Sequence, residues 1–179
     1  AFSIDNSHGH LEYMNTVSTG GVNPVHLSID KTNHWVFVAN LQSGTIAVIP
    51  RKEDGSLGNC HALYTIPGKA DRTISHPHQV LQDSSREYIL VSCQGRKAGF
   101  GQVVVFRINF AKGELIETCT NISREIAEPR HMVFHPNGKW CYGVNEKDYS
   151  ITKYDFDTTE GILTSKQILP TLPDTYTGD

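Results

Sequence analysis

The chain has 179 residues, 38% of them apolar and 20% charged, which is enough for one domain with a substantial core. Its formal net charge of -3 provides no basic field, so nucleic acid is not an expected partner. No apolar run approaches the roughly 18 residues of a membrane-spanning helix, so a membrane is not expected either.

Residues 1–21 read as the end of a preceding unit. They give one strand, an exit turn at His8-Gly9-His10-Leu11 and an outer strand. The opening AFSIDNSHGH has no charged-then-apolar signal pattern. The four cysteines, Cys60, Cys93, Cys119 and Cys141, form no CxxC pair, so reduced thiols and a cytoplasmic location are expected. Asn121-Ile122-Ser123 matches a glycosylation sequon, a triplet that arises often by chance.

From residue 22 onward the chain is organised by a repeat. NPVHLSID from Asn23, HPHQVLQD from His76 and EPRHMVFH from Glu128 align on Pro24, Pro77 and Pro129, giving periods of 77 − 24 = 53 and 129 − 77 = 52. Each proline-led strand ends in a polar turn (Lys31 to Asn33, Ser84 to Arg86, Pro136 to Gly138), and a second strand opens on Trp35, Tyr88 or Trp140. Third strands follow Gly44, Gly101 and Tyr149, and exit turns carry Gly55, Gly113 and Gly161 before a fourth strand.

Helical periodicity is nearly absent, and four short strands recurring every ~50 residues is the pattern of a β-propeller blade. The fold class expected is therefore all-β, a propeller with about three and a half four-stranded blades of a probable seven in this chain. The boundaries expected are 1–21 for the end of a blade, then 22–74, 75–127 and 128–179 for three more. No Trp-Asp dipeptide closes any unit and Gly20-Gly21 does not recur, which argues against WD and Kelch repeats. A β-sandwich with accidental similarity would not match at four separate landmarks. Such a stack implies either a longer protein or edge-to-edge pairing with a partner.

The stretch EPRHMVFHPNGKWCYGVNEKDYSITKY, from Glu128 to Tyr154, is where chemistry is expected. Asn137-Gly138 signals a hairpin turn. Counting outward from it sets Arg130 opposite Asn145, with Glu146 one residue beyond. The repeat permits comparison of equivalent positions. Val25, His78 and Arg130 follow the three prolines, while Leu41, Gln94 and Glu146 end the three second strands. Unequal decoration of one structural position is how a symmetric scaffold acquires a single asymmetric site.

An arginine at a channel mouth suits bidentate capture of a carboxylate or phosphate. A glutamate beside it serves as general base or acid, and a histidine moves protons near neutral pH. His76, two residues before His78 and on the same face of an ideal strand, joins Arg130 as a substrate-binding candidate. The competing reading is structural, with Arg130 and Glu146 as an ion pair and His78 as a satisfied strand-edge residue. No acidic ligand is near His76 and His78 in sequence, so no metal is expected. His26 and His131 fall one step later and are expected to turn away from the channel and hydrogen-bond between blades. His135 is expected to serve its turn. No P-loop, nucleophile elbow or dinucleotide fingerprint appears, and no cofactor is expected.

Taken together, NPVHLSID with VFVAN, HPHQVLQD and EPRHMVFHPNGKWCYGVNE resemble the seven-bladed-propeller lactonase family. That family joins propeller-type 6-phosphogluconolactonases to carboxy-cis,cis-muconate cyclases. The resemblance covers nearly the whole chain and about half of a propeller. It implies that His78, Arg130 and Glu146 match a catalytic His, Arg and Glu, with a further Arg lying beyond Asp179. Ser92-Cys93-Gln94-Gly95 and the basic loop after it depart from the Asp-Leu-Gly-like sequence of many members. The function expected is hydrolysis of 6-phosphogluconolactone or a related sugar lactone, with a small anionic lactone or carboxylate as substrate. A muconate-type cycloisomerase is the second reading and a non-catalytic binding propeller the third.

Overall fold

A computed structural model describes residues 1–178, which form β-strands and connecting turns. β1 (Phe2–Ile4) and β2 (Leu11–Tyr13) make an N-terminal hairpin. Three four-stranded antiparallel sheets follow, each with its strands in chain order. The first holds β3 (Pro24–Ile29), β4 (Trp35–Asn40), β5 (Thr45–Pro50) and β6 (Ala62–Thr65). The second holds β7 (His76–Gln82), β8 (Tyr88–Gln94), β9 (Gln102–Asn109) and β10 (Glu114–Ile122). The third holds β11 (Pro129–Phe134), β12 (Trp140–Asn145), β13 (Ser150–Asp157) and β14 (Ile162–Pro170). These are the successive blades of a β-propeller.

The blades stack face to face, which explains the sequence pattern of their middle strands. β8 is buried at every residue, so YILVSCQ reads as a continuous run rather than an alternation. One core joins the first two blades through Phe37, Ile46 and Val48 against Val80, Ile89 and Val91. Another joins the second and third through Leu90, Val103 and Val105 against Met132, Tyr154 and Phe156. The outermost blades leave apolar faces uncovered, at Leu27 and Ile29 on one side and at Val133, Val144 and Ile151 on the other.

A latch repeats between blades. The Trp35 indole N–H donates to the Phe110 carbonyl (2.8 Å), and its ring lies over Gly113 in the next blade's exit turn. In the same way the Tyr88 hydroxyl donates to Thr159 O (2.8 Å), with Gly161 beneath its ring. Both glycines have positive φ and no room for a Cβ. In the first two blades, the aromatic that opens the second strand and the glycine in the next blade's exit turn are thus two halves of one contact.

The turns between first and second strands are built alike. Asp30 accepts from the Thr32 and Trp35 amides, and Asp83 from those of Ser85 and Tyr88. In the third blade His135 takes that place, its Nδ1 accepting from the Asn137 amide (3.1 Å), as the sequence suggests. The Asn137-Gly138 turn differs from the expected two-residue hairpin. Five residues, 135–139, separate the strands, and Gly138 rather than Asn137 has positive φ. The Gly138 amide closes the turn on His135 O (2.9 Å).

The pairing of first and second strands also differs from the simple count. Pro129, not Arg130, lies opposite Asn145, because the register slips between Pro129 and His131. The same slip occurs between Pro24 and His26 and between Pro77 and Gln79. Val25, His78 and Arg130 are therefore the extra residues of three equivalent β-bulges. A bulge re-aims the side chain it carries, so His76 and His78 do not share a face as in an ideal strand.

Candidate functional site

Two bulges and two strand ends build the site across the second and third blades. His78 and Arg130 occupy the bulges of β7 and β11, Gln94 ends β8, and Glu146 lies one residue beyond β12. The Arg130 backbone is fixed by the neighbouring blade, since Ser92 Oγ donates to its carbonyl (2.6 Å). The Gln79 side-chain amide reinforces this joint by pairing with both the N–H and the C=O of Met132. The Glu146 amide donates to Glu128 O (3.1 Å), which holds the start of the loop after β12 against the start of β11.

On this frame three sequence-predicted residues converge. Arg130 Nε donates to His78 Nε2 (3.1 Å), and Arg130 Nη1 lies 3.6 Å from Glu146 Oε1. Gln94 Nε2 donates to Glu146 Oε2, closing the chain of contacts between the blades. Arg130 and Glu146 are partly exposed, whereas His78 is buried and Gln94 wholly so. With Nε on His78 and Nη1 facing Glu146 at a loose distance, much of the guanidinium remains available to an anion.

The histidine is not poised near neutrality as an unperturbed one would be. Burial first, then the Arg130 guanidinium and His131, lower its pKa to about 4. The ring is therefore neutral at pH 7. Its Nε2 must be the unprotonated nitrogen, because it accepts from Arg130, and the proton sits on the buried Nδ1.

His131 corrects an expectation, because it packs edge-on against His78 with ring centroids 4.8 Å apart instead of turning away. His26 does link blades as expected, accepting from the Val80 amide (3.4 Å). Burial lowers the pKa of both, aided by His131 for His26 and by Arg130 for His131. His76 is not brought into the cluster by its side-chain hydrogen bond, as its Nδ1 donates to the Leu41 carbonyl of the first blade (2.9 Å). Gln94 and Ser92 are the residues that sequence reasoning passed over. Gln94 had a visible signal, a polar residue where the first blade has Leu41. Ser92 had none.

Comparison with known proteins places the chain in a family. The profile described as "Lactonase, 7-bladed beta-propeller" matches residues 1–179. A 6-phosphogluconolactonase of Bacillus subtilis is 28% identical over 180 residues, covering 99% of this chain and 50% of its own length. One from Pectobacterium carotovorum is 30% identical, covering 97% of this chain and 48% of its own. Among solved structures, the periplasmic gluconolactonase of Pseudomonas aeruginosa superposes with a TM-score of 0.85 at 22% identity, over 99% of this chain and 50% of that one. A Lactobacillus plantarum protein does so with a TM-score of 0.82 at 26% identity, over 98% and 50%. The chain spans about half the length of the curated relatives it matches. With all of its residues matched, it belongs to the seven-bladed β-propeller lactonase family.

Proposed function

We propose that the protein hydrolyses a sugar lactone, 6-phosphogluconolactone or a close relative, at the junction of the second and third blades. The observation that carries this reading is the convergence of Arg130, Glu146 and His78 from two blades on one partly exposed spot. The names of the relatives support the substrate class. Hydrolysis of a lactone needs a base to take a proton from water, stabilisation of the tetrahedral oxyanion, and a proton for the departing ring oxygen.

Glu146 takes the first task. It removes a proton from water as the water oxygen bonds to the acyl carbon, and it returns that proton to the ring oxygen as the C–O bond breaks. Arg130 holds negative charge, either the developing oxyanion or the anionic substituent of the substrate. His78 acts differently from the proton carrier expected of it. A neutral ring whose Nε2 accepts from Arg130 orients the guanidinium and has no proton there to give. His76 enters only as a contributor to the binding surface through its remaining ring nitrogen. The four free thiols support a reducing compartment, the cytoplasm.

The test is a substrate panel on the full-length protein that carries this chain. Turnover of 6-phosphogluconolactone above its spontaneous rate supports the proposal. Turnover of carboxy-cis,cis-muconate alone would replace it with the cycloisomerase, and turnover of neither with a binding propeller.

A further inference from the structure

Gln94 is the one member of the cluster with no place in the proposed chemistry. It ends β8 in register with His76 and is wholly buried, at 0% exposure. Its Nε2 donates to Glu146 Oε2, while its Oε1 is buried and without a partner among the described residues. A carboxylate only accepts hydrogen bonds, so the amide nitrogen must be the end that faces Glu146. Leaving Oε1 unsatisfied is a cost, and the contact with Glu146 is what the Gln94 side chain gains among the described residues. The loop after Gln94 is tied to the residue before β7: the Phe100 amide and Gln102 Nε2 both donate to Ser75 Oγ (2.9 and 3.2 Å). Gly95 packs so closely on Gly101 that no larger residue fits.

The other oxygen of Glu146 lies 3.6 Å from Arg130, outside normal hydrogen-bond length, although two facing side chains of this kind ordinarily close into a bidentate pair. The repeat shows the same two positions with other fillings. The first blade has Val25 with Leu41, the second His78 with Gln94, and the third Arg130 with Glu146. A neutral donor in the second blade thus reaches across to a carboxylate in the third.

We infer that Gln94 is a positioning residue that holds the Glu146 carboxylate off a closed ion pair with Arg130, leaving both groups open to an anionic ligand. This rests on the Arg130–Glu146 site being the one used for function, but not on which reaction it performs.

The test is calorimetric titration of the full-length protein with inorganic phosphate and with 6-phosphogluconate, alongside turnover. Gln94→Met keeps length and apolar volume and removes the donor. Released, Glu146 closes on Arg130 and competes with the anion, so affinity falls by about threefold to fivefold, the range set by a partly exposed ion pair. Adding Glu146→Gln to Gln94→Met removes the competitor and restores affinity to that of the Glu146→Gln single variant. A loss of affinity from damaged packing would persist in the double variant, and that result would overturn the inference. So would unchanged affinity in Gln94→Met, or wild-type protein that binds neither anion. Wild-type protein that binds anions with the predicted pattern but turns over no lactone would sink the lactonase reading and leave the role of Gln94 standing.

Discussion

Arg130 Nε donates to His78 Nε2 across 3.1 Å, from the bulge of one blade to the equivalent bulge of the preceding blade. A pair that is one residue in two copies of the repeat has become a donor and an acceptor. Sequence divergence at a single bulge position therefore supplies both halves of the contact that orients the guanidinium.

That contact has a pH dependence of definite sign. The His78 value is about 4 in the folded protein against an ordinary 6.5. Between these limits the unfolded chain binds the proton more readily, so stability is fully present above about pH 6.5 and declines as pH falls towards 4. His26 and His131 are lowered too and act in the same sense. Thermal midpoints measured from neutral pH down to pH 4 should fall less steeply for His78→Gln than for wild type. Equal slopes would contradict the burial of a neutral ring.

The joint behind Arg130 should matter as well. Ser92→Ala removes the hydroxyl that donates to the Arg130 carbonyl, at a cost of about 1 kcal/mol in stability. Because it frees the bulge rather than a distant surface, activity should fall by about tenfold or more. Steady-state kinetics beside denaturant unfolding separate the two effects. A stability loss with unchanged kcat/KM would show that the bulge holds its position without Ser92.

The blade latch makes a comparative prediction. Gly9→Ala places a Cβ at positive φ in open space, so it costs only backbone strain, about 1 kcal/mol. Gly161→Ala adds overlap with the Tyr88 ring, which raises the loss by a further ~1–3 kcal/mol. Chemical denaturation of the two variants should rank them in that order, and equal losses would show that Tyr88 yields without resistance.

The thiols should divide by burial. Cys93 is fully buried with its pKa pushed up, and burial pushes Cys141 up to about 12. Cys60 and Cys119 are only partly buried. A disulfide reagent should label Cys60 and Cys119 in the native protein and reach Cys93 and Cys141 only after unfolding, as mass spectrometry of digests would read. Rapid native labelling of Cys93 would mean that the core between the first two blades opens.

Much of this was legible in the sequence because a repeat carries its own alignment. Trp35 and Tyr88, with Gly113 and Gly161, marked strand starts and exit turns that the structure joins into one recurring latch. His78, Arg130 and Glu146 stood out as ionisable groups where the first blade has Val25 and Leu41. What the sequence hid was geometry set by non-local contacts. A bulge leaves no signature when it recurs in every copy, so Arg130 was counted opposite Asn145 where Pro129 belongs. The neutrality of His78 depends on burial between blades and on a neighbouring guanidinium, neither of which adjoins it in the chain. Gln94 differs from Leu41 visibly, but only the fold reveals that it faces Glu146.

In the proposed mechanism the Glu146 carboxylate, held between Gln94 and Arg130, performs the proton transfers of lactone hydrolysis. The most direct test measures acid release from 6-phosphogluconolactone by the full-length protein and by its Glu146→Gln variant. Wild-type turnover above the spontaneous rate should fall by about 10²–10⁴-fold in the variant with its fold and anion binding retained. Turnover that survives in Glu146→Gln would contradict the account and move the chemistry away from this pair of blades.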